Sequence, residues 1–428
     1  MKKSILAMIL SATILFTLLC SCAEHNKTGG NEGNAENNPK ELNWYGWYDE
    51  QGYMPTILKA FEEKSGIKVK PTYIDNDGYS DKLVVMLTGD ADLDVFDTST
   101  VKEYVKYRDA GNLVDLTPYM EKSQIDPAVY GSSFLSTEKD GKYYALPYRN
   151  MCFSLYYNKV IFDQEGIEYP QQLTWEEYAE LAKKLTKTRE DGSKQWGGFL
   201  IDWIGEPIMT VQKGSNILDS DTSALREWME FMNRLYNVDQ SHMSFEEMKS
   251  TSVDGLKIFW AGDVAMLING EWTIGNTKQE LESNPGISEK FDLGVTYMPL
   301  PDGMDTPVTV GGASCFSMIN HKSEKIDEAF AFIEYLTGEQ GAEHIVGANM
   351  MPAYINDEII DLYQDAVAVP GVETQLLTDT LYECAPVTEF AEVDTIWREQ
   401  KELYLIGDES LDDAIADFET RRADVLGS

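Results

Sequence analysis

Histidine and cysteine are scarce, at 4 and 5 in 428 residues. The histidines form no H-E-x-x-H pair and no visible triad, and no G-x-S-x-G, G-x-G-x-x-G or P-loop occurs, so the common motifs of nucleophilic, zinc-protease and nucleotide chemistry are missing. Cys152, Cys315 and Cys384 lie beyond the N-terminal segment, odd in number and without C-x-x-C spacing. They indicate neither a disulfide framework nor a zinc site, and read as buried thiols. Basic residues are also few: 35 Lys and Arg face 73 Asp and Glu, a formal charge of −38. A field of that sign repels polyanions, so nucleic acid is not an expected partner. So many carboxylates permit almost any spacing, which makes acid pairs of the glycosidase kind uninformative. Asp75-Asn-Asp-Gly78 with Asp81 echoes a calcium loop but lacks its full spacing and distal Glu, so a turn and helix cap are expected there. No metal or cofactor is expected.

What is present is enough apolar sequence, 43% of residues, for sizeable cores, and a length suited to two lobes. Met1 to Cys22 opens with Lys2 and Lys3 and continues with the apolar run Ile5 to Leu19, the plan of a secretory signal and too short for a permanent span. The following residues to Lys40 are rich in Gly, Asn and Glu and poor in apolar side chains, the composition of a tether.

Folded sequence begins at Leu42-Asn-Trp-Tyr-Gly-Trp-Tyr-Asp49. Met54, Ile57, Leu58 and Phe61 fall at i, i+3, i+4, i+7 and predict a helix ending at Gly66, before a strand that starts at Ile67. A helix over Leu83 to Leu87, a strand Leu93 to Asp97 and a helix Val101 to Asp109 behind a Thr-Ser-Thr cap continue the alternation. Three strand and helix alternations predict a doubly wound α/β sheet, whose ligands sit at the carboxyl ends of strands, here Trp44 to Asp49 and Asp97 to Ser99. Thr174-Trp-Glu-Glu177 is a capping box, and Leu225, Trp228, Met229 and Met232 form a further apolar stripe.

The stretch Gly262-Asp-Val-Ala-Met-Leu-Ile-Asn-Gly-Glu-Trp272 reads as a buried strand broken at Asn269-Gly270, with an indole at the mouth of the turn. An indole can cover the apolar face of a sugar ring while neighbouring amides and carboxylates bind its rim. This stretch resembles the A-M-x-x-x-G-x-W segment of family 1 extracellular solute-binding proteins, the maltose-binding-protein-like receptors of ABC importers. Pro147, with Leu155-Tyr-Tyr-Asn-Lys159, is similar to the family's first crossing between lobes, Val308 to Ile319 to its return, and Met351-Pro-Ala-Tyr354 to its next crossing. The resemblance covers Leu42 to Asp424.

It implies a two-lobed periplasmic-binding-protein-like α/β fold, each lobe a doubly wound sheet flanked by helices, joined by hinge strands near Tyr148 to Met151. The expected divisions are a signal peptide at 1–21, a lipidated tether at 22–40, a first lobe at 41–149 and 301–353, and a second at 150–300 and 354–428. Leu19-Cys20-Ser21-Cys22 resembles a bacterial lipobox, which implies lipidation at Cys22 and a monomer held at the outer face of the cell membrane. The implied function is capture of a sugar or oligosaccharide for an ABC permease, with no catalysis. By turn position and family match, Trp272 is expected as the stacking platform, with Trp47, Tyr48, Trp203 and Trp397 as further aromatic contacts. Asp49, Asp97, Ser99, Arg149, Asn150 and Glu271 stand at strand ends and the hinge, where they could bind hydroxyls. Met151 falls where some relatives carry a carboxylate. Two other readings fit the composition: a secreted carbohydrate-active enzyme, and a receptor for a cation such as a polyamine, caged by aromatics in an acidic protein.

Overall fold

The computed structural model describes residues 40–427 except 76–77, 202–206, 377–378 and 383. The signal segment, Cys22, Trp203 and the centre of the Asp75 to Gly78 turn therefore lie outside the described residues.

Among the described residues ten strands form one mixed sheet. In chain order they are β1 (Glu41–Trp47), β2 (Lys68–Ile74), β3 (Val95–Thr98), β4 (Leu146–Asn158), β5 (Lys187–Thr188), β6 (Lys194–Leu200), β7 (Val264–Gly270), β8 (Leu293–Thr296), β9 (Val308–Ile319) and β10 (Asp379–Leu381). Their lateral order is β2-β1-β3-β9-β4-β7-β6-β5, with β8 on β4 and β10 on β9. The doubly wound, parallel expectation holds for β2-β1-β3 and for β6-β7. It gives way in the middle, where β9 runs antiparallel to β3 and β4, and β4 antiparallel to β7. The reason is the length of β4 and β9, which belong to both halves of the sheet. Residues 146–152 of β4 pair with β9, and residues 153–158 pair with β7 and β8. A third connection runs alongside: Asn150 N donates to Met351 O at 3.0 Å and Ala353 N to Tyr148 O at 3.1 Å.

The helices follow their sequence signals. Met54, Ile57, Leu58 and Phe61 are the buried face of Met54–Ser65, which Gly66 ends in the left-handed conformation at φ 71°. Each such side chain contributes roughly 1.5–3 kcal/mol on burial, and Phe61 meets Phe332 of the helix Ile326–Thr337 edge to face at 5.3 Å. Thr174 Oγ1 accepts from Glu177 N at 3.1 Å while Thr174 N donates to Glu177 Oε2 at 2.8 Å, so the capping box starts Trp175–Leu185. That helix buries Trp175 and Tyr178, and Tyr178 hydrogen-bonds His242 Nε2 at 2.8 Å. Burial pulls the His242 imidazole down to about 3, so it serves as a neutral core residue.

Candidate ligand-binding site

The carboxyl ends of β1 and β7 deliver the site. β1 ends at Trp47 and turns into a short 3-10 helix, Tyr48–Gly52. That turn is fixed from below by Glu50, wholly buried, whose Oε2 accepts from Trp47 N at 3.0 Å and whose Oε1 accepts from the Tyr148 hydroxyl on β4. Burial, then the nearby Asp97, pushes the Glu50 carboxyl well up. β7 ends at Gly270, followed by Glu271 and the helix Trp272–Ser283. Gly270 lets the indole lie over the strand, since a Cβ there would come within 2.1 Å of the Trp272 ring. Phe153 of β4 backs that ring edge to face at 6.2 Å.

Trp47, Arg149 and Trp272 border two adjoining cavities of about 360 and 1040 Å³. Ligand sites commonly occupy about 300–1,000 Å³. The smaller is walled further by Ser99, Met151, Phe153 and Glu271, and by Ser314 and Cys315 of β9; the larger by Tyr48, Asp49 and the helix Trp272–Ser283. Across the smaller one Arg149 Nη2 donates to Glu271 Oε1 at 2.5 Å. Among the described residues, Arg149 Nε and Glu271 Oε2, both buried, have no hydrogen-bond partner. Burial pushes the Glu271 carboxyl up and the Arg149 guanidinium pulls it back. The backbone of β9 in the cavity wall is pinned: Ala313 N donates to Ser133 Oγ at 2.9 Å and Tyr382 OH to Ala313 O at 2.6 Å. Gly312 beside it takes φ 115°, where a side chain would be strained and its Cβ would strike Ser133.

Of the residues singled out in the sequence, Trp47, Tyr48, Asp49, Ser99, Arg149, Glu271 and Trp272 gather at these cavities. Three do not. Asp97 is wholly buried, because β3 lies between β1 and β9, and it accepts from Trp44 Nε1 at 3.0 Å. Trp397 is wholly buried against Phe418, on the inner face of the helix Phe390–Ile406. Asn150 turns its Oδ1 to the Met151 N–H at 3.1 Å, a local backbone bond. Lys102, Phe153, Tyr382 and Arg398 line the smaller cavity without having been foreseen. Lys102 had a signal, its place in the first turn after the Thr-Ser-Thr cap; Arg398 is brought in only by the packing of a distant helix.

The model of the bacterial extracellular solute-binding protein family matches residues 56–354. The multiple sugar-binding protein of Streptococcus mutans is 25% identical over 215 residues, 46% of this chain and 47% of that one, so the chain spans about half the length of that curated relative. A sugar transporter from Rhizobium etli in an open conformation superposes with a TM-score of 0.77 at 26% identity, over 89% of this chain and 98% of that one. An ABC substrate-binding protein from Listeria monocytogenes in complex with cycloalternan matches at the same TM-score, 0.77, with 22% identity over 91% of this chain and all of that one, a likeness of fold. The chain belongs to the bacterial extracellular solute-binding proteins, with their two-lobed α/β fold.

Proposed function

We propose that this protein is the substrate-binding lipoprotein of an ABC importer, taking a sugar or oligosaccharide between its two lobes and presenting it to a membrane permease without altering it. The observation that carries this reading is that Trp47, from the β1 half of the sheet, and Trp272, from the β7 half, border the same cavities. Names of relatives support the ligand class: a multiple sugar-binding protein, a lactose-binding protein and an arabinooligosaccharide-binding protein.

In this reading the lobes comprise 41–149 with 301–353 and 150–300 with 354–428, and they move about β4, β9 and residues 351–353. A ligand that touches both lobes only when they are closed shifts that equilibrium by its differential affinity. The indoles cover ring faces, while Arg149 Nε donates to a hydroxyl oxygen and Glu271 Oε2 accepts from a hydroxyl. The leader and Leu19 to Cys22 support a lipid anchor at Cys22, each buried CH₂ of an acyl chain contributing about 0.8 kcal/mol.

A thermal-shift screen against mono- and oligosaccharides tests the ligand class, since a ligand at 100 times its Kd adds about 2.7 kcal/mol. New reducing ends on prolonged incubation would favour a carbohydrate-active enzyme instead. A polyamine receptor is disfavoured by the smaller cavity, whose charged lining among the described residues is Lys102, Arg149 and Arg398 against Glu271.

A further inference from the structure

The two cavities that share Trp47, Arg149 and Trp272 differ in what else faces them. The larger is bordered by carboxylates, amides and an ammonium group, among them Asp49, Gln51, Asn276, Lys278, Gln279 and Glu282. The smaller has Val101, Met151, Phe153, Ala313, Cys315 and Cys384 in its lining. Cys315 counts with the apolar groups, since burial pushes its thiol up to about 12, and a neutral thiol behaves as a small hydrophobe.

β4 arranges this wall. Successive side chains of a strand point to opposite faces, so Arg149, Met151 and Phe153 share one face, which passes from a charge through a thioether to a phenyl ring. Arg149 pairs with Glu271 at one end, and Phe153 backs the Trp272 ring at the other. Met151 between them is half-buried, and its cross-strand neighbour on β9 is Gly312, which has no side chain to cover it. The lining cations Lys102 and Arg398 stand on other elements, the helices Val101–Asp109 and Phe390–Ile406, where both bind Asp394. A hydroxyl brought against Met151 and Phe153 would lose its water and meet no strong donor or acceptor from either, whereas a methyl group is desolvated there at a gain.

We propose that the saccharide carries a methyl-bearing substituent, an acetamido group or the exocyclic methyl of a deoxy sugar, which the smaller cavity takes against Met151 and Phe153. The hydroxyls of that ring are then served by Arg149 and Glu271, and the rest of the chain passes Trp47 and Trp272 into the larger, polar cavity. Met151 is the residue that sets this preference. The inference rests on the sugar-binding reading above and adds the chemical class of the ring that enters first.

Calorimetric titration of the mature protein with two matched pairs tests this. The first is N-acetyllactosamine with lactose, which exchange one acetamido group for a hydroxyl; the second is a fucosyl-galactose with the galactosyl-galactose that carries one more hydroxyl, on the exocyclic carbon. One methyl group in an apolar pocket separates ligands by roughly 10- to 200-fold, so in at least one pair the methyl-bearing member is expected to bind more than tenfold tighter. The pair that responds names the source of the methyl. Met151→Gln keeps the length of the side chain and adds an amide, and is expected to shrink that ratio to about threefold or less with the apo Tm within a few degrees of wild type. Asn276→Ala, in the larger cavity, is expected to weaken both members alike. Hydroxylated members that bind as tightly or tighter in both pairs, or a ratio that Met151→Gln does not move or that Asn276→Ala moves as far, overturn the proposal and leave sugar binding standing. No heat from any of the four against folded protein overturns it as well, while the sugar reading is decided by the thermal-shift screen above.

Discussion

Arg149, on β4, donates from Nη2 to Glu271 Oε1 at 2.5 Å, joining the strand shared by both halves of the sheet to the end of β7. Glu271 is wholly buried. Removing one partner of a buried pair costs about 3–5 kcal/mol, because the other charge is left uncompensated. Arg149→Met should therefore lower stability by about that much and abolish ligand binding. The double variant Arg149→Met with Glu271→Gln should recover part of the stability without recovering the ligand. Denaturation midpoints of the two single variants and the double variant, read as a thermodynamic cycle, check this.

Gly270 and Trp272 give a separate test. In Gly270→Ala the new Cβ would meet the indole at 2.1 Å, and the far end of the side chain can swing away while the strand stays. Ligand affinity should fall severalfold, with the apo Tm within a few degrees of wild type. A calorimetric titration and a melt on one sample measure both.

Trp397 should behave in the opposite way. Its ring is wholly buried and meets Phe418 at 5.7 Å. Trp397→Ala should cost about 3–5 kcal/mol of stability and leave the affinity of the folded fraction unchanged. Urea denaturation reads the first, titration well below the melting range the second.

Stability should also depend on pH through the buried acids under β1. Burial pushes the Asp97 carboxyl up from 3.8 to about 7, although the Trp44 indole N–H partly restrains it. Between those two values the folded chain binds more protons than the unfolded one, so the contribution of Asp97 is full below the lower value and is lost as pH rises through the upper. Across that window it removes up to about 1.4 kcal/mol per pH unit. Glu50, shifted in the same direction, adds to the slope. Asp97→Asn should flatten it, as denaturation midpoints measured from pH 4 to 8 would show.

Much of the fold was legible because local rules and tertiary demands agree. The face Met54, Ile57, Leu58 and Phe61 is the face the core buries, and Thr174 caps the helix it precedes. The antiparallel centre was not legible. Nothing within β9 tells that it lies between β3 and β4, since its twelve buried residues carry no alternating pattern. The site divides in the same way. Trp47 and Trp272 stand at strand ends, where position in sequence fixes position in the fold. Asp97 also stands at a strand end, but its strand is flanked on both sides and the side chain turns inward to Trp44. Trp397 and Arg398 are adjacent on one helix, and the first faces the core while the second reaches the cavity. That assignment depends on how the helix Phe390–Ile406 rests not only on the following helix Leu411–Leu426 but on Ser223–Asn233, a segment far away in the chain.

The most direct test of the account is titration of wild type, Trp47→Ala and Trp272→Ala with the saccharide that raises the wild-type Tm most. The two indoles come from different halves of the sheet, so a clamp that needs both predicts that each variant alone loses more than tenfold in affinity while its apo melt stays within a few degrees. Wild-type affinity in either variant would contradict it.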